Sequence, residues 1–90
     1  YAAACMVEET ARRRDAGEAV NALAASCKLF ATEMVGRVAD RAVQIFGGAG
    51  YIEDYGIERF YRDVRLFRIY EGTSQIQQTV IAKDMIKRFS

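Results

Sequence analysis

Residues 18–46 have the sequence EAVNALAASCKLFATEMVGRVADRAVQIF, and this stretch decides the fold of the 90-residue chain. Its apolar side chains recur every three or four residues, which is the period of one face of an α-helix. They are Val20, Leu23, Ala24, Cys27, Phe30, Ala31, Met34, Val35, Val38, Ala42 and Ile45. A helix from about Glu18 to Phe46 would be about 42 Å long. Because such a helix cannot cover its own apolar stripe, we expect other helices to pack along it.

The polar residues of this stretch are predicted to lie mostly on its solvent side. They are Asn21, Lys28, Glu33, Arg37, Asp40 and Arg41. Gly36 falls inside the helix, where it should cost about 1 kcal/mol relative to alanine. We therefore expect another helix to approach closely at Gly36.

Three further helices are predicted around this stretch. Residues 1 to about 14 are rich in alanine and carry acid–base pairs at helical spacing. A third helix is predicted over about 57–68 and a fourth after the short joint that follows. Thr73 or Ser74 is expected to cap the fourth helix, since Ser74 and Gln77 have the spacing of a capping box.

Four helices with short connections predict a single all-α domain over residues 1–90, arranged as an antiparallel up-down four-helix bundle. No segment alternates with a period of two, so no strand is predicted. Residue 1 already falls inside a helical pattern. We therefore expect the chain to be a fragment of a longer polypeptide.

The composition excludes several classes of function. Without histidine, a Ser–His triad, a Cys–His dyad and a histidine metal site are all impossible. Two cysteines are too few for a thiolate zinc site. Thirteen basic and twelve acidic side chains give a net charge of +1, which provides no concentrated basic surface for nucleic acid. No run of about 18 apolar residues is present, so no membrane span is predicted.

The evenly spaced arginines of the third helix are interpreted as a solvated face with salt bridges, because acidic residues are mixed among them. They are Arg59, Arg62, Arg65 and Arg68.

The segment Gly47-Gly48-Ala49-Gly50 ends the long helix and is the first candidate site. A dinucleotide-binding fingerprint would need a preceding strand and a third glycine where this sequence has Glu53, so that interpretation is rejected. Two interpretations stay open. The glycines form a helix C-cap, or they let the backbone approach a phosphate or a partner chain.

The segment Tyr70-Glu71-Gly72-Thr73-Ser74-Gln75 is the second candidate site. Glu71 lies in a joint beside an aromatic residue, and apolar surroundings raise the proton affinity of a carboxylate, which suits a general base. Gly72 leaves room beside the backbone, and the free N–H groups of the following helix, with Thr73 and Gln75, could hold polar groups of a cofactor. The alternative is a surface loop whose glutamate favours the helix dipole.

Three segments together resemble the C-terminal helical domain of the acyl-CoA dehydrogenase family. They are QIFGGAGY at 44–51, RD at 62–63 and IYEGTSQIQ at 69–77, in the family's order and spacing. The resemblance implies an FAD-dependent enzyme that converts acyl-CoA thioesters to trans-2-enoyl-CoA.

The same resemblance assigns roles to individual residues. Glu71 matches the catalytic base and Gly72 the position that lines the substrate. The flavin dinucleotide contacts match Thr73, Ser74 and Gln75. A second set, which would meet the adenosine–pyrophosphate part of FAD from a neighbouring subunit, matches Gln44, Ile45, Phe46, Gly47 and Gly48.

The resemblance also implies partners. They are acyl-CoA, electron-transfer flavoprotein and further copies of the subunit in a dimer or tetramer, located in the bacterial cytoplasm or the mitochondrial matrix. An acyl-CoA oxidase is an alternative within flavoenzymes. The alternative outside them is a stand-alone or truncated helical oligomerisation module without activity of its own.

Overall fold

The computed structural model describes residues 1–90, and all of its regular structure is helical. The α-helices are α1 (Ala2–Asp15), α2 (Asn21–Phe46), α3 (Gly48–Tyr51), α4 (Ile57–Arg65) and α5 (Ser74–Phe89). Two 3₁₀ turns, Glu53–Tyr55 and Leu66–Arg68, lie before and after α4. The all-α class and the four long helices are confirmed.

α2 is the central element, since α1, α4 and α5 all pack against it. α1 runs antiparallel to the first half of α2, where Thr10 Oγ1 lies 3.2 Å from Cys27 Sγ. α4 runs back along the second half, and α5 continues in the same direction along the first half. The joint between α4 and α5 therefore lies beside the middle of α2. The chain is elongated, with extents of 52 × 24 × 18 Å.

Some helix boundaries differ from the sequence prediction. α4 ends at Arg65 and continues as a 3₁₀ turn over the last residues of the predicted helix. α2 begins at Asn21 rather than near Glu18. Gly47, with φ of +64°, ends α2, but the glycines after it form the short helix α3 instead of a loop. Of the two predicted caps of α5, Thr73 is confirmed, because its Oγ1 accepts a hydrogen bond from the Ile76 N–H at 3.2 Å, and the capping box from Ser74 was wrong.

The helices meet along small residues. Only five of the 90 residues are buried, and the two apolar residues among them are Ala25 and Ala39. Gly36 and Gly50 are buried as well. Many large apolar side chains stay exposed, among them Ile45, Phe60, Met85, Ile86 and Phe89. Apolar surface on this scale is typical of a face that other protein covers. None of the helices combines the length and the apolar character needed to cross a bilayer.

Gly50→Ala should lower the free energy of unfolding by about 1–3 kcal/mol, because overpacking of this size forces the backbone to shift. A Cβ at Gly50 would lie 2.5 Å from the Val43 carbonyl oxygen and 2.8 Å from Phe46 Cβ. Gly48→Ala is the matched control, since a Cβ there meets nothing within 4 Å. It should change the free energy by less than about 0.5 kcal/mol. Urea denaturation followed by circular dichroism measures both, and equal stability of the two variants would contradict the close contact at Gly50.

Candidate functional site

Glu71 lies in a strained joint between the 3₁₀ turn Leu66–Arg68 and α5. It has φ of +54° and is the only residue other than glycine with a positive φ. A side chain in this region costs about 1 kcal/mol or more, and such residues cluster at functional sites. Gly72, with φ of +98°, continues the left-handed path. The surrounding structure must therefore hold the joint in place.

Side chains from two helices bind the backbone carbonyls around Glu71. Lys28 Nζ, on α2, donates to the Tyr70 carbonyl oxygen at 2.5 Å and also to the Gly72 carbonyl oxygen. Gln77 Nε2, on α5, donates to the carbonyl oxygens of Glu71 at 3.4 Å and Gly72 at 3.3 Å. The positive φ favours glycine at position 72, and a Cβ there would also displace the Gln77 amide, since it would lie 2.6 Å from Nε2.

The Glu71 N–H points away from Lys28 as a consequence. All peptide bonds are trans, so each N–H is directed opposite to the carbonyl of the same peptide plane. The Tyr70 carbonyl faces Lys28, and the Glu71 N–H therefore points outward. Neither the Glu71 N–H nor the Gly72 N–H has a hydrogen-bond acceptor within the chain. Two backbone donors beside the Glu71 carboxylate are thus free to bind another molecule.

Glu33 ties both ends of the joint to the middle of α2. Its Oε1 accepts from Ser74 Oγ at 2.6 Å, and its Oε2 accepts from Arg68 Nη1 at 3.2 Å. The hydrogen bond from Ser74, with further help from Arg68, lowers the pKa of Glu33 below its ordinary value. The sequence analysis placed Lys28 and Glu33 on the solvent side of α2, and this was wrong, because their partners follow about 40 residues later in the chain.

Arg68 explains the glycine inside α2. A Cβ at Gly36 would lie 3.2 Å from Arg68 Cζ, so the guanidinium packs on the backbone where the sequence predicted another helix. Arg68 Nε is buried there without a partner. The solvated arginine face is thus wrong for Arg68, although Arg62 does lie beside Glu58 at 3.8 Å on the surface.

The predicted residues of the joint differ in their exposure and partners. Glu71 and Gln75 are exposed, and Gly72 is half-buried. Thr73 is used as the cap of α5, and Ser74 is buried and donates to Glu33. The sequence analysis did not identify Lys28, Glu33 and Arg68 as part of this site. Gly36 was the available signal, since Glu33 lies one helical turn before it on the same face of α2.

The second predicted set lies far from the first. Gln44, Ile45, Phe46, Gly47 and Gly48 are all exposed at the C-terminal end of α2 and the start of α3. Lys28 and Gln44 are about 24 Å apart along the axis of α2. The fold of one chain therefore does not bring the two sets together. Gly48 has neither a positive φ nor a neighbour that a Cβ would meet, so packing within the chain gives no reason for a glycine there.

An open groove of about 590 Å³ lies between α2 and α4, but it is not where the predicted site residues lie. Its lining includes Asp40, Val43, Tyr61 and Arg65 and none of the residues of either predicted set. The mixed charges of this groove face solvent, and no strained backbone or free buried donor adjoins it. The joint around Glu71 is therefore the better candidate site.

Comparisons with known proteins show which family the chain belongs to. The sequence profile of the C-terminal domain of acyl-CoA dehydrogenases matches residues 1–86. The chain belongs to the acyl-CoA dehydrogenase family. It is 49% identical over 86 residues to a 3-(aryl)acrylate reductase of Clostridium sporogenes, covering 96% of this chain and 23% of that protein. It is 47% identical over 87 residues to an NADH-dependent acryloyl-CoA reductase of Anaerotignum propionicum, covering 97% of this chain and 22% of the relative.

Solved structures of the family share the fold. An acyl-CoA dehydrogenase of Geobacillus kaustophilus superimposes with a TM-score of 0.86 at 36% identity, covering 92% of this chain and 22% of the other. A structure described as an electron transferring flavoprotein of Acidaminococcus fermentans gives a TM-score of 0.88 at 38% identity, covering 93% and 22%. The acyl-CoA dehydrogenase domain described here thus spans less than a quarter of the length of these relatives.

Glu33→Gln should make the free energy of unfolding depend less on pH in the acid range. Because the pKa of Glu33 is lowered on folding, its carboxylate stabilises the fold above the unfolded pKa of about 4.3. This contribution is lost as the pH falls through the lower folded pKa. Between about pH 6 and about pH 3, the free energy of unfolding should fall by about 1 kcal/mol less in Glu33→Gln than in the unmodified protein. This figure allows for the partial exposure of Glu33 and Arg68.

Glu53→Gln is the control for this measurement, since Glu53 is exposed and forms no ion pair. Denaturation at a series of pH values measures the free energy of unfolding. Between about pH 6 and about pH 3, Glu53→Gln should lose as much of it as the unmodified protein. The same pH dependence for Glu33→Gln and the unmodified protein would contradict the bridging role of Glu33.

Proposed function

We propose that this domain supplies the catalytic base, Glu71, to a flavin-dependent enzyme that interconverts acyl-CoA and trans-2-enoyl-CoA thioesters. The observation that carries the proposal is the backbone of Glu71. The chain keeps a carboxylate in a strained conformation and holds the surrounding joint with four side chains, Lys28, Glu33, Arg68 and Gln77. A surface loop that only places a negative charge near a helix start would need none of these contacts.

Glu71 acts on the carbon next to the thioester carbonyl. Its carboxylate oxygen takes the proton from this carbon as the C–H bond breaks, and the electron pair moves toward the neighbouring carbon to form the double bond. When bound, FAD supplies the acceptor for the hydride that leaves that neighbouring carbon. The outward-pointing Glu71 N–H donates to the thioester oxygen, where negative charge develops during proton removal.

The exposure of Glu71 sets a requirement on the rest of the enzyme. A carboxylate in water is a weak base, and exclusion of water raises its proton affinity. The joint provides the carboxylate, the free N–H groups and the space left by Gly72. Residues outside this chain must close over them, which fits the small share of the relatives' length that the domain covers.

The direction of the reaction depends on the redox partner. Relatives of this chain carry both dehydrogenase and reductase names. Microscopic reversibility makes the protonated Glu71 the acid that returns a proton to the same carbon in the reductive direction. One site thus serves both reactions, and electron-transfer flavoprotein is the proposed electron partner, supported by the likeness to the flavoprotein structure from Acidaminococcus fermentans.

The chain's residues fit a bound flavin dinucleotide if two subunits share it. Gln75, an exposed amide, and Thr73 lie beside Glu71, and free N–H groups start α5. Gly48 lies about 24 Å away along α2 and leaves open space for a close approach from outside the chain. We therefore infer that Gln44–Gly48 of one subunit complete the cofactor site at Glu71 of another, in a dimer or tetramer.

Glu71→Gln should slow proton removal by about 10²- to 10⁴-fold, because the amide cannot accept the proton. The measurement is the rate of flavin bleaching when the full-length, flavin-loaded enzyme is mixed anaerobically with acyl-CoA substrates of different chain lengths. Glu53→Gln removes an exposed carboxylate elsewhere and should keep the full rate. An undiminished rate in Glu71→Gln would remove Glu71 from this role.

Mixed oligomers of Glu71→Gln and Gly48→Trp subunits should recover activity that neither variant has alone. In a shared site, one of the two sites of a mixed dimer combines an intact Glu71 with an intact Gly48. Refolding or coexpressing the two full-length variants and measuring turnover tests this directly. Activity no higher than that of the separate variants would contradict the shared site. A colourless oligomer that binds no flavin would favour an oligomerisation module.

A further inference from the structure

Lys28 makes contacts that are unusual for a lysine on a helix. Its ammonium group forms no ion pair with a carboxylate and instead donates to two backbone carbonyls, those of Tyr70 and Gly72. These carbonyls belong to the residues on either side of Glu71. The ammonium also lies 5.8 Å from the centroid of the Tyr70 ring, which stacks with Phe67. Lys28 is thus bound to the backbone of the joint and not to its side-chain charges.

The Lys28 contacts fix two peptide planes. The Tyr70 carbonyl shares its plane with the Glu71 N–H, and the Gly72 carbonyl shares its plane with the Thr73 N–H. Binding both carbonyls from one side directs both N–H groups to the other side. The first plane ends at the Glu71 Cα and the second lies one residue beyond it, so Lys28 holds the joint on either side of Glu71, while Gln77 binds the Glu71 carbonyl between them.

The two hydrogen bonds from Gln77, to the carbonyls of Glu71 and Gly72, are weaker than those from Lys28. Gln77 donates at 3.3 and 3.4 Å through a neutral amide, whereas the Lys28 bonds are charge-assisted. Charge-assisted hydrogen bonds are about twice as strong as neutral ones. Lys28 therefore makes the strongest side-chain hydrogen bonds to the backbone on either side of Glu71.

We propose that Lys28 is a positioning residue for the reaction assigned to Glu71, an inference that rests on that proposed function. It aligns the Glu71 carboxylate with the carbon that loses a proton, and it aligns the Glu71 N–H with the thioester oxygen of the same substrate. Lys28 itself touches neither the substrate nor the cofactor. Its removal should therefore affect the reacting geometry more than substrate binding.

Lys28→Met tests the proposal in the full-length, flavin-loaded enzyme. The rate at which the carbon next to the thioester exchanges its protons in D₂O should fall by about tenfold to a hundredfold, because small misplacements at a reacting centre have effects of this size. The dissociation constant of the acyl-CoA should stay within about threefold, since the lost contacts act on the transition state. Lys28→Arg keeps charged donors and should recover most of the rate, and Lys83→Met, on the exposed side of α5, is the matched control.

Amide hydrogen exchange gives a second readout that does not depend on activity. The peptide covering residues 66–77 contains the Tyr70 N–H, which donates to the Leu66 carbonyl, and the Gln77 N–H, which donates to the Thr73 carbonyl. In Lys28→Met these amides should exchange about tenfold faster or more, because the joint opens locally more often. Lys28→Gln repeats both measurements if Lys28→Met does not bind flavin.

The two exchange measurements together test the role of Lys28. Faster amide exchange with slower proton exchange, both reversed in Lys28→Arg, supports the proposal. An unchanged proton-exchange rate, or a slower rate with no change in amide exchange, overturns it. Glu71→Gln measured in parallel separates the two claims. If Glu71→Gln keeps the full rate, the proposed function fails, whereas a slow Glu71→Gln beside an unaffected Lys28→Met refutes only the role of Lys28.

Discussion

The hydrogen bonds from α2 to the joint before α5 are the constraint on which the rest of the site depends. Glu33 binds Arg68 and Ser74 at the two ends of the joint, and Lys28 binds the carbonyls of Tyr70 and Gly72 within it. A left-handed glutamate is unfavourable by itself, so without these bonds the joint would relax and Glu71 would lose its direction. The long central helix thus acts as a rigid support for a short irregular segment.

The domain buries few side chains by itself, which leaves large apolar faces for other protein to cover. Its only buried apolar side chains are those of Ala25 and Ala39, and much of its large apolar surface stays exposed. The chain covers less than a quarter of the relatives it resembles. The base proposed at Glu71 needs a dry pocket, so in this proposal the domain supplies one wall of the pocket and other protein covers it.

Much of the fold could be predicted from the sequence, because the spacing of apolar residues in α2 and the glycines at 47 and 72 are local signals. The chemistry of Glu71 was inferred from a motif, and its role remains a prediction. The support of the site could not be predicted in the same way. Lys28 and Glu33 look like ordinary surface charges, since their partners follow about 40 residues later, and Ser74 looks like a helix cap. Only the packing of α4 and α5 in sequence along α2 brings these groups together.

A crystal structure of the full-length, flavin-loaded enzyme with an unreactive acyl-CoA analogue tests the central claim most directly. We expect a Glu71 carboxylate oxygen to lie about 3.0–3.5 Å from the carbon next to the thioester carbonyl. We also expect the Glu71 N–H to donate to the thioester oxygen while Lys28 keeps its two carbonyl contacts. A Glu71 side chain in bulk water, with another residue in contact with that carbon, would contradict the claim.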